Sequence, residues 1–284
     1  MPSSKDSSAA MSPASEPEFD KMGRQSGTAA LALEMVDVSV GSLVYADTVL
    51  LEGVNWKVAV GDYWAIGGMQ ASGKSDLMAT AAGIMRPLRG TFRAFGQELG
   101  AGFEHELMPT RLRLGLVFDG GRLLNHLTIA ENIALPLRYH KNLSMAEAEA
   151  QTEALLELAG LSTWAARAPG ALRRNSQQRA GLARALALKP EVLLLDNPLT
   201  GLDPRDSIWW LDLLDQLCAG HAIMDGRPMT LAVTGDNLRP WRERARQFGI
   251  LENRTLTAIG SRSDLGASGN ALVHELLRSE VVEK

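Results

Sequence analysis

One cysteine stands in the 284 residues. Cys218 therefore has no internal partner, which excludes a disulfide framework and suits a reducing cytoplasm. On the apolar run Leu211 to Leu217 it reads as a small core hydrophobe on a helix. Basic charge is also scarce: 29 Lys and Arg stand against 33 Asp and Glu, a formal net charge of −4. Nucleic-acid binders usually carry a basic field, so nucleic acid is set aside as a partner. No apolar run approaches the roughly 20 residues that cross a bilayer, so any membrane role requires a partner. Residues 1–28 lack the apolar core of a signal peptide; rich in Ser, Ala and Pro with scattered charge, they read as a disordered leader.

What the chain does have is 45% apolar content, enough for a large core. One α/β domain with satellite subdomains fits the length. From Leu31 to Val60, LALEMVDVSV and VLLEGVNWKVAV alternate or nearly so and break at Gly41 and Gly53, which predicts a compact β region. Tyr63-Trp64-Ala65-Ile66 reads as a buried strand entering a glycine-rich loop, with helix from Ser75 towards Gly83. Arg111 to Phe118 reads as a strand. Leu127 to Leu172 reads as helical and interrupts the α/β alternation as an inserted subdomain. Alternation resumes with helix Gln177 to Leu188, strand Val192 to Asp196, helix Ser207 to Cys218, strand Met229 to Thr234 and strand Phe248 to Leu251. Strands separated by helices imply a mainly parallel sheet covered on both faces, behind an N-terminal antiparallel β subdomain.

Gly68, Gly73, Lys74 and Ser75 have the spacing of a phosphate-binding P-loop between a buried strand and a helix. Glycines let backbone N–H groups turn toward phosphates, Lys74 offers an ammonium to the β and γ groups, and the Ser75 hydroxyl ligates Mg²⁺. The helix N-terminus adds partial positive charge. Gly68, Met69, Gln70, Ala71, Ser72, Gly73, Lys74, Ser75 and Asp76 are the candidate ATP-binding residues. Asp196 ends a second buried strand, LLLD, where a Mg²⁺-coordinating carboxylate belongs; Ser75 and Asp196 are the candidate metal ligands.

A P-loop alone does not separate kinases, GTPases and transport ATPases. LLLDNPLTGLDP, Leu193 to Pro204, resembles the Walker B segment and D-loop of ATP-binding-cassette (ABC) proteins. QRAGLARALALKPEVLLLD, Gln178 to Asp196, is similar to the helix after that family's signature, and AAGIMRPLRGTFRAFG, Ala81 to Gly96, to the stretch after its P-loop. The resemblance runs from about Leu31 to Leu256 with several motifs in the family's order, and the D-loop and helical insertion disfavour a P-loop kinase. It implies a RecA-like P-loop NTPase fold. It also implies that Tyr45, nine residues before Val54, stacks on adenine, against the plainer reading of an ordinary strand tyrosine.

The chain departs from the family pattern at four places. Asn197 follows Asp196 where the family has a Glu that orients or deprotonates water; an amide cannot take that proton, and such assistance is typically worth about 10²–10⁴-fold. Gly235 stands where a His contacts the γ-phosphate, and Asp119 stands where a Gln is expected. Leu172-Arg173-Arg174-Asn175-Ser176 replaces Leu-Ser-Gly-Gly-Gln. Mg²⁺ and phosphate ligands survive while groups that act on water or sense γ-phosphate are changed, so binding is expected to be kept and hydrolysis impaired. The family sandwiches ATP between two such domains. With Walker B and signature altered on one chain, neither a homodimer nor a heterodimer with a second ABC domain keeps an unaltered composite site.

Phe118 to Ser144 resembles the matching region of ATPases of Mce-associated importers and the maintenance-of-lipid-asymmetry system, most clearly in LTIAENIALPL. That implies an integral membrane permease docking near Asp119 and the helical insertion, and a lipid or other hydrophobic cargo. A non-catalytic nucleotide-binding scaffold or regulatory module is the alternative. Arg173-Arg174 reads as a solvated pair at a helix start, and Trp209-Trp210 as core cover after the D-loop. The tail ALVHELLRSEVVEK reads as an amphipathic helix that packs on its own domain or on a second subunit. The domain expectation is a leader at 1–28, an ABC domain at 29–260 with an insertion at about 122–175, and a tail at 261–284.

Overall fold

The computed structural model describes residues 30–45, 48–141 and 143–278. The leader expected at 1–28 lies outside the described residues, as do the last six positions of the tail.

Two sheets build the molecule. Strands β1 (Leu31–Gly41) and β2 (Val49–Ala59) pair antiparallel, and β4 (Arg89–Ala94) joins the other side of β1 with the two-residue β5 (Gln97–Glu98) beyond it. Leu33 and Met35 face the core, but after Asp37 it is Val38 and Val40 that do. The frame changes because Asp37 takes a left-handed φ of 52° and the register slips beside it, a bulge that flips every later side chain. Gly90 lies opposite, where a Cβ would stand 2.2 Å from the Asp37 carbonyl oxygen.

The second sheet has the order β10-β9-β3-β8-β7-β6, from β3 (Tyr63–Gly68), β6 (Leu114–Val117), β7 (Val192–Leu195), β8 (Thr230–Gly235), β9 (Gln247–Glu252) and β10 (Thr255–Gly260). All are parallel to their neighbours except β10. Alternation explains why these strands read as solid apolar runs. Trp64, Ile66, Val192, Leu194 and Ala232 point into one core with β1 and β2, while Tyr63, Ala65, Leu193, Leu195, Leu231 and Val233 point into another.

Helix α1 (Lys74–Ala81) packs Leu77, Met78 and Ala81 into the first core. Helices α3 (Ile129–His140), α4 (Met145–Leu158), α5 (Arg174–Leu186) and α6 (Pro204–Ala219) fill the second, where Trp210, Trp241 and Phe248 are fully buried. Each such side chain contributes about 1.5–3 kcal/mol of apolar burial. The chain leaves β3 toward one face of the sheet and β6 and β7 toward the other, and all three loops start at the carboxyl ends of the parallel strands.

Local chemistry sets the helix starts. The Thr128 hydroxyl accepts the Glu131 N–H and the Glu131 carboxylate accepts the Thr128 N–H; Ser144 and Glu147 repeat the box for α4. The fully buried Asn132 side chain then binds Leu124, accepting its N–H at 2.8 Å and donating to its carbonyl at 3.1 Å, which pins the connection into α3.

Several boundaries differ from the sequence expectation. The strand expected at Arg111 to Phe118 is only Leu114–Val117, because Arg111 ends the helix α2 (Glu104–Arg111), whose interior Pro109 and short length hid its period. The helical stretch from Leu127 to Leu172 divides into α3, α4 and two 3₁₀ turns at Ser162–Trp164 and Pro169–Ala171. α5 begins at Arg174 rather than Gln177. Strands β4, β5 and β10 are short hairpin partners that periodicity did not mark. After α7 (Arg262–Ala267), α8 (Ala271–Leu277) packs on its own domain: Val273 and Leu276 are buried, and the Leu276 carbonyl accepts the Leu238 N–H.

Candidate functional site

The glycine-rich loop joins the carboxyl end of β3 to α1. Gly68 ends the strand, and a Cβ there would sit 2.6 Å from Ser72 Oγ and 3.2 Å from the Leu251 carbonyl oxygen, so a larger residue would have to displace the Ser72 hydroxyl. Gly73 turns into the helix with φ 90°, and Ala71 holds φ 61°, where a methyl-bearing residue is strained by roughly 1–2 kcal/mol. Met69, Gln70 and Ala71 are exposed along the rim. Ser72 Oγ is buried with no hydrogen-bond partner among the described residues.

Lys74 is 7% exposed, and its ammonium donates to the Gly68 and Met69 carbonyls, each at 2.6 Å. Burial lowers its pKa, opposed by the carboxylates of Asp236 and Asp196. Asp196 is 2% exposed. Burial raises its pKa, offset by hydrogen bonds from the Ser75 and Thr234 hydroxyls. Ser75 and Asp196 thus stand close to one another although 121 positions separate them in the chain.

A buried hydroxyl without a partner, a buried ammonium satisfied only by backbone, and a serine against a buried carboxylate match the donors and acceptors that Mg²⁺ and phosphate require. The charge balance agrees. Asp119, Asp196 and Asp236 stand by the loop against Lys74 and Arg174, so a polyanion needs a divalent cation with it.

Other expected residues divide into two groups. Asp119 is brought in: it lies two residues beyond β6, whose Val117 carbonyl accepts the Asp196 N–H at 2.8 Å, and its side chain pairs with Arg174. Asn197 follows Asp196 with φ 53°, and its N–H donates to Thr234 Oγ1 at 3.1 Å. Gly235 ends β8; a Cβ there would meet the Asn237 carbonyl at 3.3 Å, a contact relieved by a small shift. Asp76 accepts the Leu43 N–H on Oδ1 at 2.7 Å, which ties the turn after β1 to the start of α1. Tyr45 lies on that turn, 68% exposed, with its ring free of intramolecular partners in the described residues. Leu172, Arg173, Asn175 and Ser176 make no hydrogen bond or ion pair with the loop among the described residues; Asn175 Oδ1 instead accepts from Trp210 Nε1 at 3.4 Å.

Sequence reasoning missed Thr234. Its hydroxyl donates to Asp196 Oδ1 at 3.1 Å and accepts from the Asn197 N–H, holding the acidic residue and its neighbour to β8. The register of β7 with β8, which aligns Leu195 with Val233, places the two residues side by side; parallel pairing of the two apolar runs was the signal available. The Arg174 pairing with Asp119 was also missed, since the Arg pair read as solvated.

A family model described as ABC transporter matches residues 51–200. The methionine import ATP-binding protein MetN of Brucella abortus is 38% identical over 192 residues, covering 68% of this chain and 51% of that protein. The sulfate/thiosulfate import ATP-binding protein CysA of Mycobacterium bovis is 34% identical over 238 residues, covering 82% of this chain and 63% of that protein. The chain therefore spans about half to three-fifths of the length of these curated relatives. Among solved structures, the ATP-binding cassette MJ0796 in a dimeric post-hydrolysis state with ADP and phosphate superposes with a TM-score of 0.69 at 25% identity, covering 79% of this chain and 96% of that one.

Proposed function

From its membership of the ABC transporter family, to which this chain belongs, we propose that the protein is a transporter's ATP-binding subunit that holds Mg-ATP firmly and hydrolyses it slowly. Residues 29–260 form its ATP-binding domain, with the insertion at 122–175 facing a membrane permease and 261–284 as a tail. A second ABC domain, the same or different, completes the assembly. The observation that carries the reading is the split at the end of β7. Asp196 is buried against Ser75 and Thr234, while the next residue, Asn197, offers an amide.

Ser75 and Asp196 would hold Mg²⁺, and Lys74 with the loop amides would hold the phosphates. Mg²⁺ held there would supply positive charge against that of the phosphates. Tyr45 supplies a flat apolar face for adenine on the turn that Asp76 anchors. Neither Asn197 nor Gly235 can take a proton from attacking water, which removes general-base help worth about 10²–10⁴-fold.

For cargo, the lipid reading rests on Phe118–Ser144 alone, whereas the relatives named for methionine and for sulfate or thiosulfate import favour a small polar solute. The permease that co-purifies in mild detergent distinguishes the two. Mg-ATP binding lost in Lys74→Ala, together with turnover far below the roughly 10 per second usual for enzymes, is the expected result. Ordinary turnover with the permease present, abolished by Lys74→Ala, would overturn the proposal.

A further inference from the structure

Two positions read separately as departures from the family pattern meet in the fold. Asp119 lies two residues beyond β6, and Arg174 opens α5 more than fifty positions later. Their side chains form an ion pair, and Asp119 Oδ1, buried and without a well-directed hydrogen bond, has the Arg174 guanidinium as its charge partner. The segment carrying Asp119 is fixed along one face of α5. A Cβ on Gly120 would stand 3.4 Å from Arg174 Nη1, and one on Gly121 only 2.2 Å from the Gln177 carbonyl oxygen. A Cβ on Gly181 would stand 2.7 Å from the Gly121 Cα, and Arg184 donates to the Gly121 and Arg122 carbonyls at 2.7 and 3.1 Å. Arg174, Gln177, Gly181 and Arg184 recur at spacings of three and four, so they share a helical face.

This arrangement bears on the phosphate site because Asp119 stands beside it: the Asp196 N–H donates to the Val117 carbonyl at 2.8 Å across the adjacent strands, and the Asp119 charge helps to raise the Asp196 pKa. Two carboxylates therefore stand at the ends of the adjacent strands β6 and β7, beside the loop where polyanionic phosphate is to bind.

We propose that Arg174 is a positioning residue for the phosphate site of its own chain: by pairing with Asp119 it turns and neutralises the second carboxylate, which would otherwise oppose bound phosphate. The proposal rests on the Mg-ATP reading above. Arg174 is 60% and Asp119 35% exposed, so the pair adds little to stability. Its effect lies in how nucleotide affinity depends on Mg²⁺, since a divalent cation can replace the missing positive charge.

ATP affinity of the full chain, measured at low micromolar and at millimolar free Mg²⁺, tests this. Arg174→Ala and Arg174→Gln are expected to lose about two- to fivefold in affinity at low Mg²⁺, a range set by partly exposed charge pairs, and less than about 1.5-fold at millimolar Mg²⁺. Arg174→Lys, which keeps the charge, should stay within about twofold throughout. Adding Arg174→Ala to Asp119→Asn should cost less than about twofold, because no charge is left to compensate. No loss at low Mg²⁺, an equal loss at both Mg²⁺ levels, or the same loss in the Asp119→Asn background would each overturn the role of Arg174. A wild-type chain that binds no ATP, or binds it with no regard to Mg²⁺, would instead overturn the Mg-ATP reading on which it rests.

Discussion

The loop between β3 and α1 and the ring of residues facing it are built on different terms. The loop is close-packed: Gly73 takes a positive φ, a Cβ on Gly68 would crowd Ser72, Lys74 is buried, and Ser75 lies near the buried Asp196. The facing positions, Asp119, Asn197, Gly235 and Arg174, stand at strand ends and a helix start. Asp119, Asn197 and Arg174 are not buried, so changing their side chains costs folding little. On the proposed reading, holding nucleotide and cutting it would be separable, because the first calls on the loop with the buried Lys74 and Asp196 and the second on groups placed around it.

Asp196→Ala should break the binding side of that contrast most severely. Losing a partner that merely orients a metal ligand costs about 10–100-fold in metal affinity, so losing the ligand itself should exceed about 100-fold. Isothermal titration of ATP with and without Mg²⁺ would register this as loss of the Mg²⁺-dependent part of binding. Retained Mg²⁺ dependence would remove Asp196 from the site.

Asn197→Glu probes the cutting side. A steady-state phosphate-release assay should show a rise of less than about tenfold, below the 10²–10⁴-fold of a fully placed base. Residues Leu172–Ser176 remain altered, and the left-handed φ of 53° at this position suits Asn better than Glu. Full recovery from this one change would show that the helix start does not limit turnover.

Asp76→Ala should have a smaller effect confined to the base. Freeing the Leu43 N–H unties the turn that carries Tyr45. Loss of one charge-assisted hydrogen bond to the turn should weaken ATP by about threefold, with tripolyphosphate binding unchanged. Equal losses for both ligands would place the role of Asp76 at the phosphates instead.

Ala71→Gly gives the smallest change, and it reads stability rather than affinity. Removing the left-handed strain of about 1–2 kcal/mol exceeds the 0.5–1 kcal/mol entropic cost of glycine. The melting temperature should rise by about 1–3 °C. A fall would mean that the Ala71 methyl makes a compensating contact.

Much of this was legible in the chain itself. The P-loop spacing, the buried strand before it and the LLLD run are local patterns, and local patterns fix strand, turn and helix without knowledge of what lies across the fold. The N-terminal antiparallel sheet and the parallel sheet followed from alternation and from helices between apolar runs. Helix α2 and strands β5 and β10 did not, since a short element against a sheet edge is stabilised by its neighbour rather than by its own period.

What the sequence by itself determined is which groups are present: a lysine and a serine in a glycine-rich turn, one acidic strand end, and an amide, a glycine and an arginine at positions that a resemblance marked as altered. Only the tertiary structure decided which of them act together. Parallel register set Thr234 beside Asp196, the Asp37 bulge exchanged the buried set of β1, and the glycines at 121 and 181 let the segment from Asp119 lie on α5 so that Arg174 meets it. Those meetings join residues tens of positions apart. They depend on strand order and close backbone approach, which no window of neighbouring residues contains.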